Sequence, residues 1–197
     1  ALIGGGLGFP VWAELVRLTR RSQVRVHRIS ITARMTLAAT VFLLFTGARL
    51  REVLKAEWRQ FDLTLGIWTK PSAHTKAKRT HRLALAPEAV EIVKAMKTNA
   101  LSERWLFPGR DPATHRVDFK RPWKAILSKA GIGHWRRHDL RRTTASVMLS
   151  IGEDITVIGK TLGHTQMQTT LSYLSLAPEA QRASLSRAVV AMMPAQR

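Results

Sequence analysis

Apolar positions between Ile31 and Thr46 crowd nearly every side of a helical wheel, and Gly47 follows. This pattern predicts a mostly buried helix that stops at the glycine. A second, shorter helix is expected over Leu50–Glu57. From Phe61 to Thr69 apolar and polar residues alternate, the period of a half-buried strand, and His81–Leu85 alternates in the same way. The basic stretch between them, Lys70 to Thr80, reads as the irregular, mobile crossing of a hairpin. Pro87 opens a helix through Lys97, with Glu88 and Glu91 near its positive end. Trp105-Leu106-Phe107 reads as a short buried strand or loop turned by Pro108-Gly109. Further helices are expected over Val117–Ala130, His138–Leu149, Asp154–Thr161 and Pro178–Met192, with Gly131, Gly152 and Gly163 as stops. Trp12–Arg28 reads as a basic helix with Arg17, Arg21, Arg25 and Arg28 along one face. The sum is a mainly α protein with a small antiparallel β-sheet, an α+β class.

Charge changes the picture. The 197 residues carry 32 Lys plus Arg against 13 Asp plus Glu, a formal charge of +19. Such an excess suits a protein that neutralises a polyanion, nucleic acid first and an anionic membrane surface second. No acidic residue lies between Glu14 and Glu52 or between Asp118 and Asp139, and both stretches are rich in Arg and Lys. Two separated basic stretches suit a protein that grips a duplex from more than one side. The absence of cysteine rules out disulfides, thiolate zinc sites and cysteine nucleophiles. The longest uncharged apolar run, Met35–Ala48, is too short to span a bilayer.

Candidate chemistry narrows the polyanion. Tyr173 is the single tyrosine. It stands nine residues after His164, which stands 23 after Arg141. A phosphodiester transition state gathers negative charge on its non-bridging oxygens and needs fixed cations aimed at them. Arginine supplies a planar, permanently charged fork, which makes Arg49 and Arg141 candidates. His138 lies three residues before Arg141, on the same helical face, and a His or Lys can move the protons that attack and departure require. Acidic residues are too few and scattered for a two-metal site, and neither metal nor cofactor is expected.

Four segments carry these residues: Thr46-Gly47-Ala48-Arg49-Leu50-Arg51-Glu52, His138-Asp139-Leu140-Arg141-Arg142-Thr143, Leu162-Gly163-His164 and Thr170-Leu171-Ser172-Tyr173. In type, order and spacing they resemble the tyrosine recombinases, the phage integrase family, over residues 31 to 180. The resemblance implies a site-specific recombinase whose Tyr173 attacks DNA and forms a 3′-phosphotyrosyl intermediate without metal or ATP. It implies that Arg49 and Arg141 hold the non-bridging oxygens, that His138 accepts or donates a proton, and that His164 hydrogen-bonds the phosphate. Lys76 of the hairpin would protonate the leaving oxygen, with Lys78 as the alternative. Glu52 matches an acidic residue that braces the first arginine, and Asp139 a position that is usually small or acidic. Arg51, Lys78, Arg79, Lys120, Arg121, Lys124, Arg136, Arg137 and Arg142 are the expected DNA-backbone contacts.

On this reading residues 1–30 are a basic segment, a remnant of or linker from a missing DNA-binding domain, and 31–197 form the catalytic domain. With no initiator methionine, the chain is expected to be a fragment or processed piece. The implied partners are double-stranded DNA and three further copies in a tetramer, with Pro178–Arg197 packing on a neighbouring protomer. A cytoplasmic, DNA-associated protein of bacterial or phage origin is expected. The alternatives are an inactive or truncated DNA-binding remnant of the same fold and a type IB topoisomerase-like DNA-relaxing enzyme. A basic RNA-binding protein would account for the charge but not for the spacing of His138, Arg141, His164 and Tyr173. Singly, each motif residue has a plain structural reading. Trp58, Trp105, Trp123 and Trp135 read as core or wedge residues, Trp135 beside the His138 motif.

Overall fold

The computed structural model describes residues 30–133 and 135–172, together with the separate positions 182 and 186. Tyr173, the N-terminal basic helix and the helix expected over Pro178–Met192 lie outside the described residues.

Helix α1, Ile31–Thr46, is the central element. Ser30 caps its start by accepting a hydrogen bond from the Ala33 N–H. Its faces are covered by α2 (Leu50–Leu54), α3 (Pro87–Thr98), α4 (Lys120–Lys129) and α5 (Arg137–Ser150). Encirclement explains why the helix is apolar all round rather than striped. Three threonines fit this interior because each hydroxyl donates back one turn: Thr36 to Thr32 O, Thr40 to Thr36 O and Thr46 to Phe42 O. Gly47 ends the helix at φ 58°, donating to Leu43 O. A Cβ there would lie 2.6 Å from Leu162 Cδ2, so the position requires glycine on two counts.

A three-stranded antiparallel sheet, β1 (Phe61–Asp62), β2 (Ile67–Lys70) and β3 (His81–Ala84), is ordered β1-β2-β3. Trp68 is its anchor: fully buried, stacked on Phe61 at 5.4 Å, tilted against Phe42 at 5.4 Å, and donating to Gln60 Oε1. The chain continues through α6 (Ile155–Leu162), capped by Asp154, to α7 (Met167–Leu171). A main core around α1 and the sheet is joined by a smaller one of Ala145, Leu149, Ile158 and Leu162. Among the described residues no helix is long and apolar enough to cross a membrane.

The structure corrects four expectations. The helix expected over Leu50–Glu57 ends at Leu54, because Glu57 is taken up in a bridge to Trp105 and a 3₁₀ turn, Trp58–Gln60, follows. The single strand expected over Phe61–Thr69 is two strands. Asp62 Oδ1 accepts from the Thr64 and Leu65 N–H groups and Gly66 takes φ 64°, so the chain reverses inside the alternating run. The helix expected from Val117 begins at Lys120, after Asp118 accepts from the Lys120 N–H. Lys70, grouped with the mobile crossing, is instead the last residue of β2 and fully buried.

Candidate active site

Two helix starts built alike carry the arginines. At α2, Arg49 is the N-cap residue and its N–H donates to Glu52 Oε2 at 3.3 Å. At α5, Arg136 is the N-cap residue and its N–H donates to Asp139 Oδ2 at 3.0 Å. In both, an acid at the third helical position satisfies an otherwise orphaned donor and meets the positive helix end. The cap at α5 fixes the phase of the helix, sending Arg141 inward and His138, one turn earlier, to the surface.

Arg141 is 3% exposed, and its guanidinium spans two helix C-termini. Nη1 donates to Gly47 O at 2.6 Å and Nη2 to Leu162 O at 2.7 Å. It thus ties the end of α1 to the end of α6, where the helix dipoles favour a cation. Arg49, 27% exposed at its side chain, donates from Nη1 to Glu52 Oε1 at 3.0 Å. Glu52 is buried, and its Oε2 also accepts from Lys70 Nζ at 3.1 Å. Burial works against the Glu52 charge, yet Lys70 and Arg49 together hold this carboxyl below the usual carboxylate range. Burial draws Lys70 below an ordinary lysine; Glu52 restores part of that, and Arg141 and Arg49 add to the lowering.

His164 follows Gly163, the left-handed cap of α6 at φ 67°, and its N–H donates to Gly159 O. Its Nδ1 lies 2.7 Å from the hydroxyl of the buried Thr170 on α7. Burial, then Arg141, then Arg49, push the imidazole down to about 4. The ring is therefore neutral near pH 7, in the field of both arginines. His81 on β3 reaches the same helix end: Nε2 lies 2.9 Å from Lys160 O, an acceptor, so this nitrogen carries the proton.

Arg49, Arg141 and His138 line one cleft of about 460 Å³. Trp123 and Trp135, stacked at 6.1 Å, wall it, and Lys120, Arg136 and Arg137 add charge. The Nη1 of Arg137 is buried without a hydrogen-bond partner among the described residues. Of the other expected DNA contacts, Arg51, Lys78, Arg79, Arg121, Lys124 and Arg142 are exposed, with Arg142 4.0 Å from Asp139. Lys76 does not line the cleft; it is exposed in the β2–β3 connection, where Thr75 accepts from the Arg79 N–H and donates to Arg79 O. Trp58 and Trp105 serve the fold, each donating to a loop carbonyl (Ser102 O and Ala113 O). Two residues beside the site are not evident from the sequence, Lys70 and His81. The available signal was strand parity: Lys70 stands two residues after Trp68 and so shares its face.

The sequence profile of the phage integrase family matches residues 16–180. The chain belongs to the phage integrase family. Among its relatives, the integrase of Salmonella phage P22 is 29% identical over 150 residues, 70% of this chain and 38% of the relative. Tyrosine recombinase XerD of Rhizobium meliloti (strain 1021) is 26% identical over 164 residues, covering 76% of this chain and 50% of the relative. The chain thus spans half or less of the length of these two relatives. Among solved structures, the XerA recombinase superposes with a TM-score of 0.64 at 25% identity, over 89% of this chain and 61% of that one. The catalytic domain of bacteriophage HP1 integrase gives 0.55 at 21% identity, over 76% and 79%, a likeness of fold. The mostly helical fold with a small antiparallel sheet is that of tyrosine recombinase catalytic domains.

Proposed function

We propose that this integrase-family domain cleaves and rejoins double-stranded DNA through a 3′-phosphotyrosyl intermediate on Tyr173. The observation that carries the proposal is the convergence of Arg49, Arg141 and His138 on one cleft, with neutral His164 in the field of both arginines. Arg49 and Arg141 meet the non-bridging oxygens; with Lys120, Arg136 and Arg137 beside them and no carboxylate in its lining among the described residues, the cleft is positive. His138, exposed at the rim, moves the proton of the attacking phenol. His164 hydrogen-bonds the phosphate as a neutral ring. Lys76, brought in by the hairpin, protonates the leaving 5′-oxygen. Because the phosphotyrosyl bond conserves the energy of the phosphodiester, rejoining needs no nucleotide.

The DNA contacts follow the same charge. Lys120, Arg136 and Arg137 flank the cleft, where their charge suits a backbone phosphate. A duplex held there, with four protomers on two duplexes, is the arrangement proposed for recombination. The relatives named integrase and tyrosine recombinase support this reading, as does a structure neighbour described as XerH bound to difH substrate.

The test is a nicked suicide duplex drawn from a randomised pool by retention on the protein. A covalent protein–DNA adduct is expected, and Tyr173→Phe abolishes it. An adduct that persists in Tyr173→Phe overturns the assignment. Relaxation of supercoiled plasmid without sequence preference would move the activity to a topoisomerase-like one.

A further inference from the structure

Lys70 occupies a core position. In β2 it shares the inward face with Trp68, and the two are 1% and 0% exposed. Its Nζ lies over the indole, 4.9 Å from the ring centroid. A lysine so placed offers no donor to solvent and cannot serve as a surface DNA contact. Burying its charge is costly, and an apolar pair would hold strand to helix equally well. The reason for a lysine is therefore to be sought in what Nζ touches.

It touches Glu52 Oε2 at 3.1 Å. The same carboxylate engages Arg49 twice, from Nη1 to Oε1 at 3.0 Å and from the backbone N–H to Oε2 at 3.3 Å. With Oε2 held from the strand side, the carboxylate plane is fixed, and so is the edge of the guanidinium bonded to Oε1. The rest of Arg49 faces the cleft. Lys70 also shares the negative charge, so that Glu52 orients Arg49 without cancelling it. His81 lies directly opposite Lys70 in the β2–β3 ladder and grips α6 through Lys160 O. The strand end thus joins the arginine helix, the hairpin and the segment leading to His164.

We propose that Lys70 is a positioning residue, which presets the Arg49 guanidinium for phosphate through the buried Glu52 carboxylate. The role rests on reading the cleft as a phosphodiester site. The test compares the wild-type chain with Lys70→Met by two readouts. The first needs no DNA: the Arg49 Nε–Hε resonance, assigned by its loss in Arg49→Lys, is expected to shift and broaden in Lys70→Met. The second is single-turnover adduct formation on the selected nicked duplex, expected to fall roughly 10- to 100-fold, the usual effect of losing a supporting partner, while duplex affinity changes less than about threefold. Lys70→Met/Glu52→Gln removes the charge of the buried carboxylate that has lost its lysine partner and stands in if the single variant does not fold. It is expected to regain thermal stability but neither the Arg49 resonance nor the rate. An unchanged resonance, or an unchanged rate beside a lowered melting temperature, overturns the proposal. If the wild-type chain forms no adduct, that outcome counts against Tyr173 chemistry, and the Arg49 resonance alone decides the role of Lys70.

Discussion

Arg141 and His164 carry opposite liabilities. Arg141 satisfies Gly47 O and Leu162 O from inside the protein, so its loss orphans two buried carbonyls at once. Arg141→Lys keeps a charge but loses the fork, since one ammonium cannot span both acceptors in the same geometry. The expected cost is about 1–3 kcal/mol for Arg141→Lys and more for Arg141→Ala, measured by urea unfolding. The residue proposed to hold phosphate is thereby also structural, and loss of activity in Arg141→Ala has to be read beside its stability. His164 acts through protonation. Its folded value of about 4 lies below the ordinary histidine value, so the unfolded chain binds the extra proton more readily. Stability from this group is fully present above about pH 6.5 and is lost as pH falls towards 4. Melting curves between pH 4 and 7 are expected to show this decline, and His164→Gln is expected to flatten part of it. An unaltered pH profile in His164→Gln would mean that the ring is not held neutral by burial and the two arginines.

At the scale of elements, the end of α6 is the tightest joint. Gly163 takes φ 67°, and a Cβ there would meet His81 Nδ1 at 3.0 Å, a ring anchored by its bond to Lys160 O. Gly131 takes φ 66°, but a methyl group at that position would meet nothing within 4 Å, which isolates the backbone cost. Gly131→Ala is expected to lose about 1–2 kcal/mol, and Gly163→Ala more, because His81 must move as well. Equal losses in thermal unfolding would show that the sheet does not brace the helix end. The long helices were legible in the sequence because period and punctuation agree in them, as where Ser30 and Gly47 bound α1 and Asp154 and Gly163 bound α6. The sheet was not. Alternation from Phe61 to Thr69 looks continuous, while a carboxylate that turns the chain at Asp62 and a glycine at Gly66 are invisible to a period count. Lys70 was missed because composition groups it with its basic neighbours, whereas its strand parity groups it with Trp68. The motif residues themselves were legible. The double carbonyl grip of Arg141 was not, because its partners lie 94 and 21 residues away in sequence.

For the whole molecule, a charge of +19 predicts binding to a polyanion but not the face that binds. Among the described residues, two depressions lined by arginine can be compared. The first is the cleft with Lys120, Arg136 and Arg137. The second holds Arg59 and Arg104, but there both arginines already pair with the buried Glu57, at 2.7 and 3.3 Å, and Glu103 lines the same depression. Cations paired with carboxylates release few counterions when DNA arrives, because their charge is already balanced. Of the cations flanking the cleft, Lys120 stands 4.0 Å from the exposed Asp118 carboxylate, a looser pair than those of Glu57, and releases more. The dependence of duplex affinity on salt therefore distinguishes the faces even though the recognised sequence is unknown. In a log–log plot of affinity against salt, Lys120→Ala and Arg136→Ala are each expected to reduce the slope by roughly one, and Arg104→Ala to leave it unchanged. Fluorescence anisotropy with a labelled duplex at several salt concentrations measures all three. If Arg104→Ala flattens the slope and the cleft variants do not, DNA lies on the Glu57 side. The geometry of Arg49, Arg141 and His138 would then have to be explained without a phosphate in their cleft.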